Sequence, residues 1–115
     1  MGAEPRMTAA AALGVTELRD RLASGALDAL ALVESYIARI EAREEVVGAW
    51  AWFDPEFARA QARTLDSYRR AGRPLGRLHG LPVGLKDVID TRSIPTENGA
   101  AQDKGRVPLH DAFIV

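Results

Sequence analysis

The sequence predicts a mixed α/β fold in which helices pack on a central sheet. The first observation is the order of its segments, with helical and strand-like patterns following one another as helix, helix, strand, helix, strand. The second is a composition of 47% hydrophobic and 27% charged residues, which is typical of a globular chain. The third is a long apolar run over residues 78–91, which indicates a strand buried on both faces.

Caps and apolar spacing predict the first two helices. Thr16 is a suitable N-cap for the first helix, which Ser24-Gly25 can end, and Asp28 is a suitable N-cap for the second, which is expected to end near Glu45. Each helix carries one apolar stripe, formed by Leu18 and Leu22 in the first and by Leu30, Val33, Ile37 and Ile40 in the second.

Residues 46–53 are β-branched or aromatic at their ends and are predicted to form a strand, with Trp50 and Trp52 on one face. The two tryptophans either form a ligand platform or cover a hydrophobic layer, and packing is the more common role of large aromatic residues.

Asp54-Pro55 predicts the start of a third helix, which should run to about Ala71 before Gly72 and Pro74. Four of its residues are expected to face inward: Phe57, Gln61, Leu65 and Tyr68. Its arginines suggest either a phosphate or RNA contact or a solvated face, and intervening Glu56 and Asp66 favour the solvated face.

Lys86 is the anomaly of the apolar run. An ammonium group removed from water is costly unless it is paired, and the neutral amine that burial favours is a general base. The alternative is that Lys86 and Asp87 mark a solvated strand end, with the lysine stem extended to water.

The residues around Lys86 form an ordered motif. Its main segment reads Gly76-Arg77-Leu78-His79-Gly80-Leu81-Pro82-Val83-Gly84-Leu85-Lys86-Asp87. Further matching residues are Ile89-Asp90-Thr91, Ile94-Pro95-Thr96, Asn98-Gly99, Pro108 and Asp111-Ala112. This pattern closely resembles the amidase signature family over residues 16–115, with Arg77 as a departure where family members more often have proline.

The resemblance implies the N-terminal part of the amidase signature fold, with a mixed central sheet that this chain would leave incomplete. It implies that Lys86 belongs to a Ser-Ser-Lys triad that hydrolyses small carboxamides. It also implies that the loop with Asn98 and Gly99 borders the active site, where these two residues either help to shape the substrate pocket or have a purely conformational role. Ser24, Ser35, Ser67 and Ser93 lack the Gly/Ser-rich context of the family's catalytic serines. We therefore expect a fragment that is inactive alone. The alternatives are the A-type subunit of a tRNA-dependent amidotransferase and a non-catalytic binding remnant.

The remaining features bound the function. A formal net charge of -1 does not indicate a nucleic-acid or membrane surface, and the absence of cysteine removes thiolate chemistry and disulfides. His79 and His110 are isolated, so we expect no metal and no cofactor. We expect a cytoplasmic protein with a flexible N-terminus over residues 1–15; a homodimer is left open. Asp111 is predicted to cap a helix that begins at Ala112.

Overall fold

The computed structural model describes residues 9–115, whose contacts divide them into two compact units. Unit 1 comprises the described residues up to Ala49 together with Asp54–Pro82, and unit 2 comprises Trp50–Phe53 and Val83–Val115. Three α-helices lie wholly within the described residues: α1 (Val15–Ser24), α2 (Ala29–Val47) and α3 (Pro55–Arg70). A short 3-10 helix spans Ala101–Asp103.

Residues 1–8, which hold half of the predicted flexible N-terminus, lie outside the described residues. Within residues 9–115, no helix is long and apolar enough to cross a bilayer.

The predicted central sheet is wrong for this structure, because residues 9–115 contain no β-strand. Residues 46 and 47 instead extend α2, which ends where the N–H of Gly48 (φ 58°) donates to the Glu44 carbonyl at 2.8 Å. Residues 81–86 are irregular and residues 87–89 form a turn, in which the Ile89 N–H donates to the Lys86 carbonyl at 2.9 Å. A strand needs a neighbouring strand for its backbone groups. No second strand pairs with this run in the described residues; its carbonyls at Asp87 and Asp90 accept instead from the N–H groups of Asn98 and Ala112.

Helix α1 packs through the predicted apolar face. Leu18 and Leu22 are both almost fully buried, and Gly25 in the left-handed conformation (φ 79°) ends the helix as predicted. The N-cap prediction is wrong, because α1 begins at Val15 after Gly14 and Thr16 lies inside the first turn. An N-cap needs extended backbone, and Gly14 rather than Thr16 has it.

Helix α2 supplies more buried residues to unit 1 than α1 or α3 does. Val33 and Ile37 are buried as predicted, whereas Leu30 and Ile40 remain partly exposed. The helix also buries Ala29, Leu32 and Ser35, so its buried face is wider than a single stripe. A wide buried face is typical of a helix that contacts more than one neighbour.

Helix α3 begins as predicted. The Asp54 carboxylate accepts hydrogen bonds from the Glu56 and Phe57 N–H groups at 3.0 and 3.1 Å, and Pro55 occupies the first turn. The predicted inward side is wrong, because the buried residues are Ala62 and Asp66. Gln61, Leu65 and Tyr68 are not among them, and Phe57 is half-buried. Asp66 faces inward because its carboxylate bonds to the start of α2.

Unit 2 is organised by backbone hydrogen bonds between two segments, residues 90–96 and 106–112. The Ser93 N–H donates to Pro108 and the Thr96 N–H to Arg106, both at 3.0 Å, and the Ala112 N–H donates to Asp90 at 2.8 Å. These bonds tie the two segments together without forming a strand pair.

Two further predictions are corrected in unit 2. Asp111 does not cap a helix, because its carboxylate accepts from the Arg92 N–H at 2.7 Å and the residues after it form a turn. Trp50 and Trp52 lie on no strand; the Trp50 ring lies 5.9 Å from Phe53 and would be 3.4 Å from a Cβ atom at Gly84. Trp50 is 42% exposed, so the choice between packing and a ligand platform stays open.

Candidate functional site

Lys86 is exposed in a turn of unit 2. The buried strand on which its burial was predicted is absent, so its amine lies in water. Among the described residues, Lys86 Nζ has neither a hydrogen bond nor an ion pair. The structure therefore presents an accessible primary amine at the end of the motif.

Asp87 connects this turn to the loop that contains Asn98. Its carboxylate accepts a hydrogen bond from the Glu97 N–H at 3.0 Å, and its carbonyl accepts one from the Asn98 N–H at 2.9 Å. Asp87 thus holds residues 97 and 98 next to the backbone that carries Lys86. These two bonds connect the Lys86 turn with the loop at residues 97 and 98.

Asn98 and Gly99 both adopt positive φ, at 57° and 66°, as their turn-forming sequence predicted. The Asn98 side-chain amide donates to the Asp103 carboxylate at 3.0 Å. Both residues are exposed, and nothing lies within 4 Å of a Cβ atom built on Gly99. A conformational role is visible, and contact with a substrate stays a prediction.

An Asp90–Arg106 ion pair holds the same loop from its other side. The guanidinium contacts both carboxylate oxygens at 2.6 and 2.7 Å and also donates to the Thr96 carbonyl at 3.2 Å. The hydrogen bond from Arg106 lowers the pKa of Asp90, and the same bond raises the pKa of Arg106. Thr96 is only 2% exposed between these groups. The two bonds fix the loop next to the Lys86 turn.

Sequence reasoning did not identify the Asp90–Arg106 pair. The partners lie sixteen residues apart in a region without regular periodicity, and such a spacing does not indicate contact. With 15 basic and 16 acidic residues in the chain, the charge pattern alone is compatible with many different ion pairs.

A second charged cluster lies in unit 1, around an open cleft of about 520 Å³. The Asp66 carboxylate, 3% exposed, accepts from the Ala29 and Leu30 N–H groups at 2.7 and 3.0 Å. Asp28, the predicted cap, precedes α2 but makes no capping bond, and instead pairs with Arg69 at 2.7 Å. Asp66 therefore caps α2 from another helix, and the cluster has a structural task.

The arginines of α3 are paired with carboxylates. Arg59 contacts Glu34 at 2.7 Å, and Arg63 contacts Glu56 at 2.8 Å. The pairing raises the pKa of Arg59, chiefly through its hydrogen bond to Glu34. These ion pairs support the interpretation of the basic segment as a solvated, charge-compensated helix face.

The two histidines do not form a metal site with their neighbours. The His79 N–H donates to the Gly76 carbonyl at 3.2 Å, while its buried Nε2 has no partner among the described residues. Its ring lies 6.2 Å from Tyr68, and His110 is exposed. Over residues 9–115, no group of three His, Asp or Glu side chains could hold a metal ion.

Comparison with known proteins places the motif in a family. The family model described as Amidase matches residues 31–115, which include most of α2, all of α3 and the Lys86 loop. Curated proteins also match, among them the A subunit of glutamyl-tRNA(Gln) amidotransferase from Streptomyces coelicolor, which is 42% identical over 102 residues. That alignment covers 89% of this chain and 20% of the relative.

Relatives from other organisms give the same result. The protein of the same name from Chloroflexus aggregans is 40% identical over 90% of this chain and 21% of its own length. The one from Novosphingobium aromaticivorans is 32% identical over 94% of this chain and 22% of its own length. The chain thus spans about a fifth of the length of these curated relatives. No solved structure matches it.

Since the family model covers nearly three quarters of the chain, including the lysine motif, the chain belongs to the Amidase family.

Proposed function

We propose that this chain supplies the lysine base of an amidase that hydrolyses a carboxamide to a carboxylic acid and ammonia or an amine. The observation that carries the proposal is the position of Lys86, an unpaired and accessible amine at the end of the family motif. The adjacent carboxylate of Asp87 accepts from the Glu97 N–H and forms no ion pair with Lys86 in the described residues. Lys86 is free to exchange a proton with a partner.

In the proposed reaction, the neutral Lys86 amine accepts the proton of one serine hydroxyl. That serine accepts the proton of a second serine, whose oxygen attacks the carboxamide carbon. The C–N bond breaks as the protons return to the leaving nitrogen, and water then releases the acid from the acyl-enzyme. Backbone N–H groups stabilise the negative charge that develops on the carbonyl oxygen.

Both serines and the oxyanion donors are proposed to come from polypeptide outside this chain. Ser24 is exposed at the end of α1, where its hydroxyl both donates and accepts a hydrogen bond with nearby backbone. Ser35 is buried in α2. Ser67 is exposed on α3, and Ser93 lies in a turn with a φ of 64°. The 115-residue chain alone therefore has a base without a nucleophile. We expect it to release no ammonia from carboxamides above the level of a Lys86→Ala chain.

A chimera tests the assignment of Lys86. The chain replaces the aligned segment of the Streptomyces coelicolor relative, and ammonia release is measured from a panel of simple carboxamides. Loss of a general base typically costs about 10²- to 10⁴-fold in rate, so we expect Lys86→Ala to reduce kcat by that amount.

Lys104 provides a matched control, because it is the only other lysine and is also exposed. Lys104→Ala should retain the parent rate, and circular dichroism should show that both variants fold. Equal rates for the Lys86→Ala variant and the parent chimera would remove Lys86 from the mechanism.

A second candidate function is the A-type subunit of a tRNA-dependent amidotransferase. It is favoured by the names of the relatives described above, each of which is the A subunit of a glutamyl-tRNA(Gln) amidotransferase. In that case, partner subunits should co-purify with the intact protein, and its amide-nitrogen transfer should require glutamyl-tRNA. Turnover of simple carboxamides without tRNA or partner subunits favours the amidase.

A further inference from the structure

The turn at Asn98 and Gly99 leaves one backbone N–H group without a hydrogen bond. The N–H groups on either side are engaged, because Asn98 donates to the Asp87 carbonyl at 2.9 Å and Ala100 donates to the Glu97 carbonyl at 3.0 Å. The Gly99 N–H between them bonds to none of residues 9–115. Both Asn98 and Gly99 are exposed, so the nitrogen of Gly99 lies in water.

The side chain beside this nitrogen belongs to Asn98, the only asparagine of the chain. Its Nδ2 donates to the Asp103 carboxylate at 3.0 Å, whereas its carbonyl oxygen accepts from none of the described residues. Nothing lies within 4 Å of a Cβ atom built on Gly99, so neither a side chain nor packing shields the amide carbon on that side. Glycine also rotates more freely about its backbone bonds than other residues do. The amide carbon of Asn98 and the nitrogen of Gly99 can therefore approach each other.

We propose that Asn98 and Gly99 form a site of spontaneous deamidation. The nitrogen of Gly99 bonds to the side-chain amide carbon of Asn98, the bond from that carbon to Nδ2 breaks, and the proton of the Gly99 N–H leaves with Nδ2 as ammonia. The cyclic imide that results takes up water, which opens it at either carbonyl and leaves aspartate or isoaspartate at position 98. Water is the only co-reactant, so the reaction needs no cofactor and no partner enzyme.

Deamidation changes the charge of the loop next to Lys86. The Asn98 amide donates to Asp103, and a carboxylate at position 98 would face Asp103 as a second negative charge. Asp87 and Glu97 contribute further carboxylates to the segments that bond to this turn. The isoaspartate form also adds a carbon atom to the backbone between residues 98 and 99. The modified turn should therefore lose order where it bonds to Asp87, whether or not Lys86 acts as a base.

The test follows the purified 115-residue chain at neutral pH. Conversion of Asn98 is measured by mass spectrometry of its peptides and by enzymatic methylation of isoaspartate, and the same chain in concentrated urea gives the rate for an unrestrained turn. Because exposed loops open at little cost, we expect conversion in buffer at no less than about a tenth of the rate in urea, with isoaspartate among the products. Gly99→Ala should slow conversion at least about tenfold in both solutions, because a side chain hinders the attacking nitrogen.

Asp103→Ala separates the folded turn from an unfolded chain. A carboxylate that accepts from Nδ2 holds the Asn98 side chain in place and strengthens the carbon–nitrogen bond that has to break. In its absence we expect conversion to be about 2- to 10-fold faster in buffer and unchanged in urea.

Asn98→Asp reproduces the charge of the product. Its matched control is Gln102→Glu, which makes the same change from amide to acid at an exposed residue whose side chain bonds to none of the described residues. We expect Asn98→Asp to lower Tm more than Gln102→Glu does, since only Asn98→Asp replaces a donor to Asp103.

Three results would overturn the proposal. One is an Asn98 that stays intact in buffer over the time in which the chain in urea converts. Another is an equal rate in buffer for the Asp103→Ala and parent chains. The last is an equal Tm for Asn98→Asp and Gln102→Glu.

Discussion

Asp66→Ala should be the most destabilising single substitution among the charged residues of α3. Asp66 is 3% exposed, and its two carboxylate oxygens accept from the Ala29 and Leu30 N–H groups at 2.7 and 3.0 Å. Both donors belong to the first turn of α2, where N–H groups have no partner inside the helix. With alanine at position 66, the N–H group of Ala29 would lose its acceptor, and because Ala29 is only 1% exposed, water could not take the place of the carboxylate.

The size of the effect follows from these two bonds. A hydrogen bond to a charged group contributes about 1.5–3 kcal/mol, and loss of an N-cap costs about 0.5–2 kcal/mol. Leu30 is half-buried, so water can recover part of its bond. We therefore expect Asp66→Ala to lower the free energy of unfolding by about 2–4 kcal/mol, and Asp66→Asn, which keeps one acceptor, by about 1–2 kcal/mol.

Asp28→Ala is the informative comparison. Asp28 occupies the position from which a cap is expected, yet its side chain makes no capping bond and is 43% exposed in its ion pairs with Arg69 and Arg70. Partly exposed pairs contribute little, so its loss should cost less than about 1 kcal/mol. The assay is urea unfolding of the 115-residue chain followed by circular dichroism at 222 nm. A larger loss for Asp28→Ala than for Asp66→Ala would refute the reasoning.

Three further predictions concern capping, backbone conformation and pH. Asp54→Ala should lower the free energy of unfolding by about 1 kcal/mol in the same assay, because Asp54 caps α3; an unchanged urea midpoint would contradict this. Gly80→Ala should cost about 2–3 kcal/mol and Gly72→Ala about 1 kcal/mol. Both glycines have positive φ, but only a Cβ atom at Gly80 would contact other side chains, those of α1 and α2 at 3.2–3.4 Å; nothing lies within 4 Å of a Cβ atom at Gly72. Equal losses of unfolding free energy for the two variants would contradict this packing around Gly80. Carboxyl NMR titration should give Asp90 a pKa below the ordinary aspartate value, and Arg106→Gln should raise it. Because the folded pKa is depressed, the contribution of Asp90 to stability is present above the unfolded pKa of about 3.9 and is lost as the pH falls through the folded pKa; an unshifted titration would rule out the pair in solution.

Local signals predicted the helices because the interactions that define them are local. Leu18 and Leu22 are four residues apart and are buried together, and Asp54-Pro55 starts α3 through bonds to residues 56 and 57. The turn at Asn98-Gly99 likewise depends on its own backbone preferences. In each case the physical cause lies within about one turn of chain.

Features that depend on distant partners were not predictable in this way. Asp66 was assigned to the solvated face of α3 because nothing in its own helix shows that it bonds to residues 36 and 37 positions away. The prediction of the inward side of α3 was wrong for the same reason, because the apolar residues of the helix indicated a different face from the one that is buried. Arg106 was missed because its partners, Asp90 and Thr96, lie across a loop.

The apolar run around Lys86 shows how a strand pattern and a strand differ. The pattern records which side chains need to be covered, whereas the strand itself requires a second backbone to bond with. In the described residues the run pairs with no other strand, and Val83, Val88 and Lys86 are exposed. Removal of water favours the neutral amine that a general base requires. The proposed general-base role of Lys86 would therefore require that its amine be shielded from water.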